Sequence, residues 1–219
     1  SDEKQFYLDI TSACSNADIL LSIGDGTPDY KLQFGIEAVK NSGTKKAAVF
    51  IKPYPDEKYF ERIEWALPVA EIIGIDIDSY NIVTMRNLVH LEKKTSEQLL
   101  KIKNHLAQKN IPFAIKGIFT PEDLQMIKEV KPDVIYISNH GGRVDQISGS
   151  TAEFLAANYK TLLENCKQLW IDGGIRTAED IKKAASYGVT TVLFGRPFIS
   201  ALCRSGKESL KELKAVLSR

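Results

Sequence analysis

Two short segments contain the side chains best suited to chemistry. Ser138–Arg143 places His140 before two glycines and Arg143, and Asp172–Arg176 holds an aspartate, two glycines and an arginine. An imidazole accepts a proton near neutral pH, and a guanidinium offers a planar pair of donors to a carboxylate. A base and a carboxylate clamp this close together predict a site that removes a proton next to an acid group.

Further polar residues follow other apolar runs. Lys116 ends one such run, where a lysine is costly unless it meets an anion or a polar ligand. Asp76 and Asp78 alternate, so they share one face of a strand, and a carboxylate there is suited to orient the histidine ring. A metal site on these acids is the competing interpretation, but the sequence offers no further ligand cluster, so no metal is predicted. Glycines and arginines near the carboxyl terminus predict a phosphate cradle: Gly173, Gly174, Arg176, Gly195 and Arg196.

Short apolar runs alternate with amphipathic stretches, which predicts a parallel sheet covered by helices. The predicted strands are Ile19–Ile23, Ala47–Ile51, Ile72–Ile77, Phe113–Lys116, Val134–Ile137, Leu169–Ile171 and Thr191–Phe194. Helices are predicted over residues 2–15, 30–41, 56–67 and 207–217, with helix starts at Thr95–Glu97 and Thr120–Asp123. A closed TIM (β/α)8 barrel needs eight strands. We therefore predict a single α/β domain over residues 1–219, a barrel that lacks its first strand, with an open doubly wound sheet as the alternative.

Composition excludes several other classes of protein. The 219 residues carry a net charge of +1, which gives no basic field for nucleic acid. No apolar run approaches the length of a membrane span, and the sequence has no visible signal peptide. The three cysteines have neither metal nor redox spacing. Reduced thiols in a cytoplasmic protein are the expectation.

With these motifs assembled, the chain resembles the FMN-dependent α-hydroxy-acid oxidizing family, which includes lactate and glycolate oxidases. The resemblance is densest over residues 113–198 and rests on Ser138–Arg143, Asp172–Arg176 and Gly195–Phe198. It implies FMN as the cofactor and oxidation of a small 2-hydroxy acid to the 2-oxo acid. The implied roles are a base (His140), its carboxylate partner (Asp78), a flavin-contacting lysine (Lys116), a substrate clamp (Arg143) and FMN contacts at Ser22, Ser138, Asp172, Gly173, Gly174, Arg176, Gly195 and Arg196.

The chain departs from the family pattern on two strands. Phe50 and Lys52 stand where the family has a glutamine and a tyrosine, and Asp76 stands where a threonine touches the flavin. Lys52 is the candidate to replace the tyrosine by pairing with the substrate carboxylate. Relatives also suggest a tetramer. Two alternatives stay open: another FMN-barrel enzyme similar to the type 2 isopentenyl diphosphate isomerase, or a non-catalytic barrel fragment that binds a phosphorylated ligand.

Overall fold

Seven parallel strands form one curled sheet in this computed structural model, which describes residues 2–43, 46–82, 88–144 and 148–219. The strands are β1 (Ser22–Gly24), β2 (Ala47–Ile51), β3 (Ala70–Asp76), β4 (Phe113–Ile118), β5 (Val134–Ile137), β6 (Gln168–Ile171) and β7 (Thr191–Val192). The helices of the described residues are α1 (Glu3–Asn16), α2 (Tyr30–Asn41), α3 (Asp56–Ala66), α4 (Ser96–Gln108), α5 (Pro121–Val130), α6 (Thr151–Leu163), α7 (Ala178–Ser186), α8 (Arg196–Ser205) and α9 (Ser209–Leu217). A short 3₁₀ turn covers Ser79–Asn81.

The strand order decides between the two predicted architectures. Each strand pairs in parallel with the next in sequence, from β1 through β7. A doubly wound sheet reverses its strand order part-way across, and this sheet does not. The curled half-barrel is that of a truncated TIM barrel, so the predicted fold class is confirmed.

The two edge strands are shorter than predicted. Ile19, Leu20 and Leu21 lie outside β1. The β-ladder of β7 ends at Val192, although Leu193 N still donates to Ile171 O. Each edge strand has a ladder partner on one side only, so fewer hydrogen bonds fix its ends.

Apolar side chains pack on both faces of the curled sheet. The larger core lies between the strands and the surrounding helices. A smaller cluster fills the barrel interior and contains Phe50, Tyr136 and Trp170, whose rings pack edge to face. Gly74 makes this interior packing possible, because a Cβ atom there would lie 2.5 Å from Cε1 of Phe50. The interior of the curled sheet is therefore packed with side chains below the carboxyl ends of the strands, as in other barrels of this kind.

Capping boxes fix where several helices begin after the strand ends. In four helices the capping side chain accepts a hydrogen bond from the backbone N–H at the third helical position. The side chain at that third position in turn accepts one from the backbone N–H of the capping residue. The capping residues are Thr95, Thr120, Ser150 and Thr177. Such reciprocal caps satisfy otherwise unpaired backbone donors. The residue at which each of these helices begins is thereby fixed.

The two ends of the described chain lie next to each other. Helix α1 packs against α8 and α9, and Lys214 Nζ donates to the carbonyl oxygen of Ala17.

Among the described residues, no helix is both long enough and apolar enough to cross a bilayer.

Candidate active site

Four charged side chains from three neighbouring strands meet at the carboxyl end of the sheet. His140 Nδ1 lies 2.6 Å from Oδ2 of Asp78, and His140 Nε2 lies 3.0 Å from Oδ2 of Asp76. Lys116 Nζ donates to Oδ1 of Asp76 at 2.7 Å and lies 3.2 Å from His140 Nε2. The predicted contact between Asp78 and His140 is therefore present, with Asp76 as an additional partner.

The backbone around His140 holds the ring in this position. His140 has a φ of +52°, and Gly141 and Gly142 follow with φ values of +68° and +79°. Left-handed backbone is uncommon for residues other than glycine and is found often at functional sites. Asn139 stabilises the turn, because its side-chain oxygen accepts hydrogen bonds from the backbone N–H groups of Gly141 and Gly142.

The charges of the cluster reinforce one another. Burial alone would lower the pKa of His140, but the carboxylates of Asp76 and Asp78 outweigh it and raise that pKa above its ordinary value. Burial opposes ionisation of Asp76 as well, yet Lys116 and His140 hold its pKa well below the usual range. The pKa of Lys116 is raised by the same carboxylates despite burial. Asp76, Lys116 and His140 thus favour one another's charged forms against the opposing effect of burial.

The same acids and histidine are close enough for their ligand atoms to meet a metal ion. Asp78 binds Nδ1 of the ring and Asp76 binds Nε2, and these two nitrogens point in different directions. Lys116 already places a cation on Asp76. Lys116 and the ring nitrogens thus occupy three of the four carboxylate oxygens, while Oδ1 of Asp78 is buried without a hydrogen-bond partner among the described residues.

Asp172 lies beside the cluster and has one free acceptor. Its Oδ2 accepts hydrogen bonds from Tyr136 Oη at 2.8 Å and from Ser138 Oγ at 3.0 Å. Its Oδ1 is buried without a hydrogen-bond partner among the described residues. A buried acceptor without a donor is costly, so this atom is available to accept a hydrogen bond from a hydroxyl group.

The predicted phosphate cradle is open. Gly173 and Gly174 have φ values of +90° and +78°, and no described atom lies within 4 Å of a Cβ built on Gly174 or on Gly195. Gly195 is the N-cap of α8 and offers no side-chain cap, while Arg196 begins the helix. The α8 amino terminus therefore presents uncapped N–H groups beside a guanidinium, which suits a phosphate.

The histidine loop (Ser138–Arg143) and the phosphate cradle lie at the same end of the barrel. This end, formed by the carboxyl ends of the strands, is the mouth. A Cβ atom on Gly141 would lie 2.9 Å from the Arg196 guanidinium, and one on Gly173 would lie 3.4 Å from Oδ1 of Asn139. The His140 loop thus adjoins both the β6 and the β7 ends of the cradle. Folding therefore brings the His140 segment and the glycine and arginine segments together at one side of the sheet.

The remaining predicted residues differ in how closely they join this mouth. Arg143 is exposed, and its Nε donates to the carbonyl oxygen of His140 at 2.9 Å. Lys52 is buried after β2, and its charge helps to lower the pKa of Asp76. Arg176 is exposed and donates to the carbonyl oxygen of Ile175. Ser22 is exposed and pairs with Ala48 near the start of β2, below the strand ends that carry the other residues.

Sequence reasoning did not assign a site role to three residues that position this mouth. Tyr136 was predicted only as part of a strand, although it alternates with Ser138 and so shares its face. Asn139 belongs to the Ser138–Arg143 motif, and its turn-forming amide is a recognisable signal. Thr151 supports the cradle by donating to the carbonyl oxygen of Asp172 at 2.7 Å, and no local pattern indicates that contact.

A model of the FMN-dependent dehydrogenase family matches residues 56–219, which include the histidine cluster and the cradle. The chain belongs to this family. Its relatives include 2-hydroxyacid oxidase 2 of Rattus norvegicus, 33% identical over 112 residues, which are 49% of this chain and 30% of that protein. The 4-hydroxymandelate oxidase of Amycolatopsis orientalis is 34% identical over 114 residues, covering 51% of this chain and 31% of that one.

A crystal structure of mandelate oxidase shares the fold. It has a TM-score of 0.75 and 22% sequence identity, and the superposition covers 97% of this chain and 66% of the mandelate oxidase chain. This chain thus spans under a third of the curated relatives that it matches and about two thirds of the superposed structure.

FMN is the family's cofactor, and the residues present fit it. The unpartnered Oδ1 of Asp172 suits a ribityl hydroxyl, and the space at Gly174 and Gly195 beside Arg196 suits a phosphate. Lys116 provides a partly buried positive charge 3.2 Å from Nε2 of His140. The donor set of the mouth therefore matches a phosphorylated, hydroxyl-bearing cofactor.

Proposed function

We propose that this chain forms the catalytic mouth of an FMN-dependent enzyme that oxidises a small 2-hydroxy acid to the 2-oxo acid. The observation that carries the proposal is the carboxylate-bound imidazole of His140 beside the glycine and arginine cradle. Family membership supports the reaction class, and the names of the relatives support 2-hydroxy acids as substrates.

Arg143 and Lys52 are the proposed substrate-binding residues. The Arg143 guanidinium is anchored through Nε to the histidine loop, which leaves its terminal nitrogens for a carboxylate. Lys52 supplies a second positive charge from the end of β2. A small acid bound between them would have its hydroxyl carbon close to the imidazole.

His140 is the proposed acid–base residue. Asp78 accepts from Nδ1 and so fixes the ring orientation, which leaves Nε2 as the nitrogen that faces the reacting group. In the oxidation, Nε2 takes a proton from the substrate, and Asp78 stabilises the resulting imidazolium. Gly117 leaves room for the Asp78 carboxylate beside the ring, because a Cβ atom at Gly117 would lie 2.5 Å from Oδ1 of Asp78.

The cofactor-binding residues are proposed from the fit of the mouth. Bound FMN supplies the two-electron acceptor for the reaction. Asp172 would hold a ribityl hydroxyl, and Ser138 would keep that carboxylate in place. Lys116 would place its charge at the flavin ring. The phosphate would lie among Gly173, Gly174, Arg176, Gly195 and Arg196, and Ser22 stays a prediction for a further contact.

Anaerobic mixing of the FMN-loaded chain with a panel of 2-hydroxy acids tests the proposal. We expect at least one acid to bleach the flavin absorbance in the parent chain. The variant His140→Ala should retain the yellow flavin and lose this bleaching. His105→Ala is the matched control, because His105 lies in α4, away from the mouth.

Two results would contradict the proposal. A chain that stays colourless after incubation with FMN would favour the non-catalytic alternative. A His140→Ala variant that bleaches as fast as the parent would show that His140 is not the base. The tetramer and the cytoplasmic location stay predictions, for which sedimentation and cell fractionation are the measurements.

A further inference from the structure

Asp76 contacts the nitrogen of His140 that the proposed reaction needs. Its Oδ2 lies 3.0 Å from Nε2, while its Oδ1 accepts from Lys116 Nζ at 2.7 Å. Asp78 already occupies Nδ1. In the resting site both ring nitrogens therefore have a carboxylate partner.

Nε2 has two neighbours that require opposite protonation states of this nitrogen. Asp76 is an acceptor and needs a proton on Nε2, whereas Lys116, at 3.2 Å, is a donor and needs a lone pair there. When Asp76 holds Nε2, the ring is a cation with both nitrogens protonated. When Lys116 donates to Nε2, the ring is neutral and its remaining proton faces Asp78.

The geometry favours the first of these states. Lys116 makes its shorter contact to Asp76 rather than to the ring, so its charge is already compensated. The side chains of Asp76 and Asp78 are only 12% and 8% exposed, so water screens their charges little. Both carboxylates consequently stabilise a positive ring.

We propose that Asp76 is a positioning residue for His140: it holds Nε2 as a hydrogen-bond donor in the resting site, and Nε2 accepts a substrate proton only after that bond is released. The released proton passes to solvent, and Lys116 donates to Nε2 until the substrate arrives. The proposal rests on the proposed function, since it assigns the residue that controls when the base is ready.

The groups that surround the ring define what a test must separate. Asp76 and Asp78 approach the ring from β3 and the turn after it, and Lys116 approaches it from β4. Asp172, at the end of β6, acts on Lys116. Asp76 differs from Asp172 in one relevant respect. Both are carboxylates of the same mouth, but Asp172 bonds to Tyr136 and Ser138 rather than to a ring nitrogen.

Titration of the imidazole by nitrogen-15 NMR tests the proposal in the full chain. The chain has three histidines, so His140→Gln assigns the signal. In the parent at neutral pH we expect both ring nitrogens to be protonated. Asp76→Asn should lower the midpoint of the His140 titration by about 1–3 pH units, as expected when an opposite charge is removed from contact.

The matched control is Asp172→Asn, which removes one carboxylate from the mouth without removing a partner of the ring. We expect its midpoint to move by a small fraction of the shift in Asp76→Asn. Asp76→Thr is a second neutral variant, and the parent spectrum alone tests the protonation of Nε2 if neither variant folds. A neutral ring in the parent at pH 7, or an unchanged midpoint in Asp76→Asn, would overturn the proposal.

A pH profile of the FMN-loaded enzyme separates this proposal from the proposed function. The acid limb of kcat/KM should move to lower pH in Asp76→Asn by the same interval as the NMR midpoint. A merely structural role would lower activity at every pH without moving the limb. If no 2-hydroxy acid is oxidised at all, the proposed function fails, while the NMR midpoints still decide the role of Asp76.

Discussion

Gly74 should be intolerant of even a methyl group. The Cβ atom of Gly74→Ala would lie 2.5 Å from Cε1 and 2.6 Å from Cδ1 of Phe50, and 3.0 Å from the Cβ of Ala114. Favourable carbon contacts lie at about 3.5–4.0 Å, so the Phe50 ring would have to move by about 1 Å. That ring is 4% exposed and packs edge to face on Tyr136 at 5.3 Å, so it has little space to yield.

The magnitude follows from two opposing effects. Overpacking a core costs about 1–3 kcal/mol, while replacing glycine by alanine restricts the unfolded chain and returns about 0.4–1 kcal/mol. We therefore expect Gly74→Ala to lose about 1–2 kcal/mol of unfolding free energy. For a chain of this size the melting temperature should fall by about 2–8 °C.

Thermal denaturation followed by circular dichroism measures this loss. Gly24→Ala is the matched control, because it makes the same change in a strand of the same sheet where no described atom lies within 4 Å of the new Cβ. Its melting temperature should stay level or rise. Phe50→Leu should relieve the clash, giving a coupling energy of about 1 kcal/mol in the double mutant. Equal melting temperatures for Gly74→Ala and Gly24→Ala would refute the interior packing described above.

Three further predictions concern the mouth and the thiols. Arg196→Leu should weaken FMN binding about 10–100-fold, because a hydrogen bond from a charged group is lost. A fluorescence titration measures this change. Arg204→Leu, at the other end of α8, is the control and should have no comparable effect. The parent should exceed His140→Gln in unfolding free energy by the largest amount near pH 5, where His140 is charged beside its carboxylates. This difference should shrink as the pH rises through the raised pKa of His140. Urea unfolding at several pH values measures the difference, and a difference that grows with pH would contradict the prediction. Exposed Cys203 should react with a thiol reagent well before Cys14, because burial raises the pKa of Cys14 to about 11. Equal rates would contradict the burial of Cys14.

The elements of the fold were readable from local sequence. Buried parallel strands are apolar on both faces, which located β2 and β5 at their observed bounds. The helix starts at Thr95 and Thr120 follow from capping signals that act over a few residues. The motif around His140 and the cradle at Gly195 also stand in the sequence as contiguous segments. Their common location followed from one rule, that the carboxyl ends of parallel strands share one side of the sheet.

The contacts that set the chemistry required the tertiary structure. Asp76 lies 40 positions from Lys116 and 64 from His140, and no local propensity links such residues. The register of β3 against β4 places Asp76 opposite Lys116, and the left-handed turn after β5 brings the ring between the two carboxylates. The charged neighbours then decide the ionisation of the assembled groups against the opposing effect of burial, and only folding brings those neighbours together.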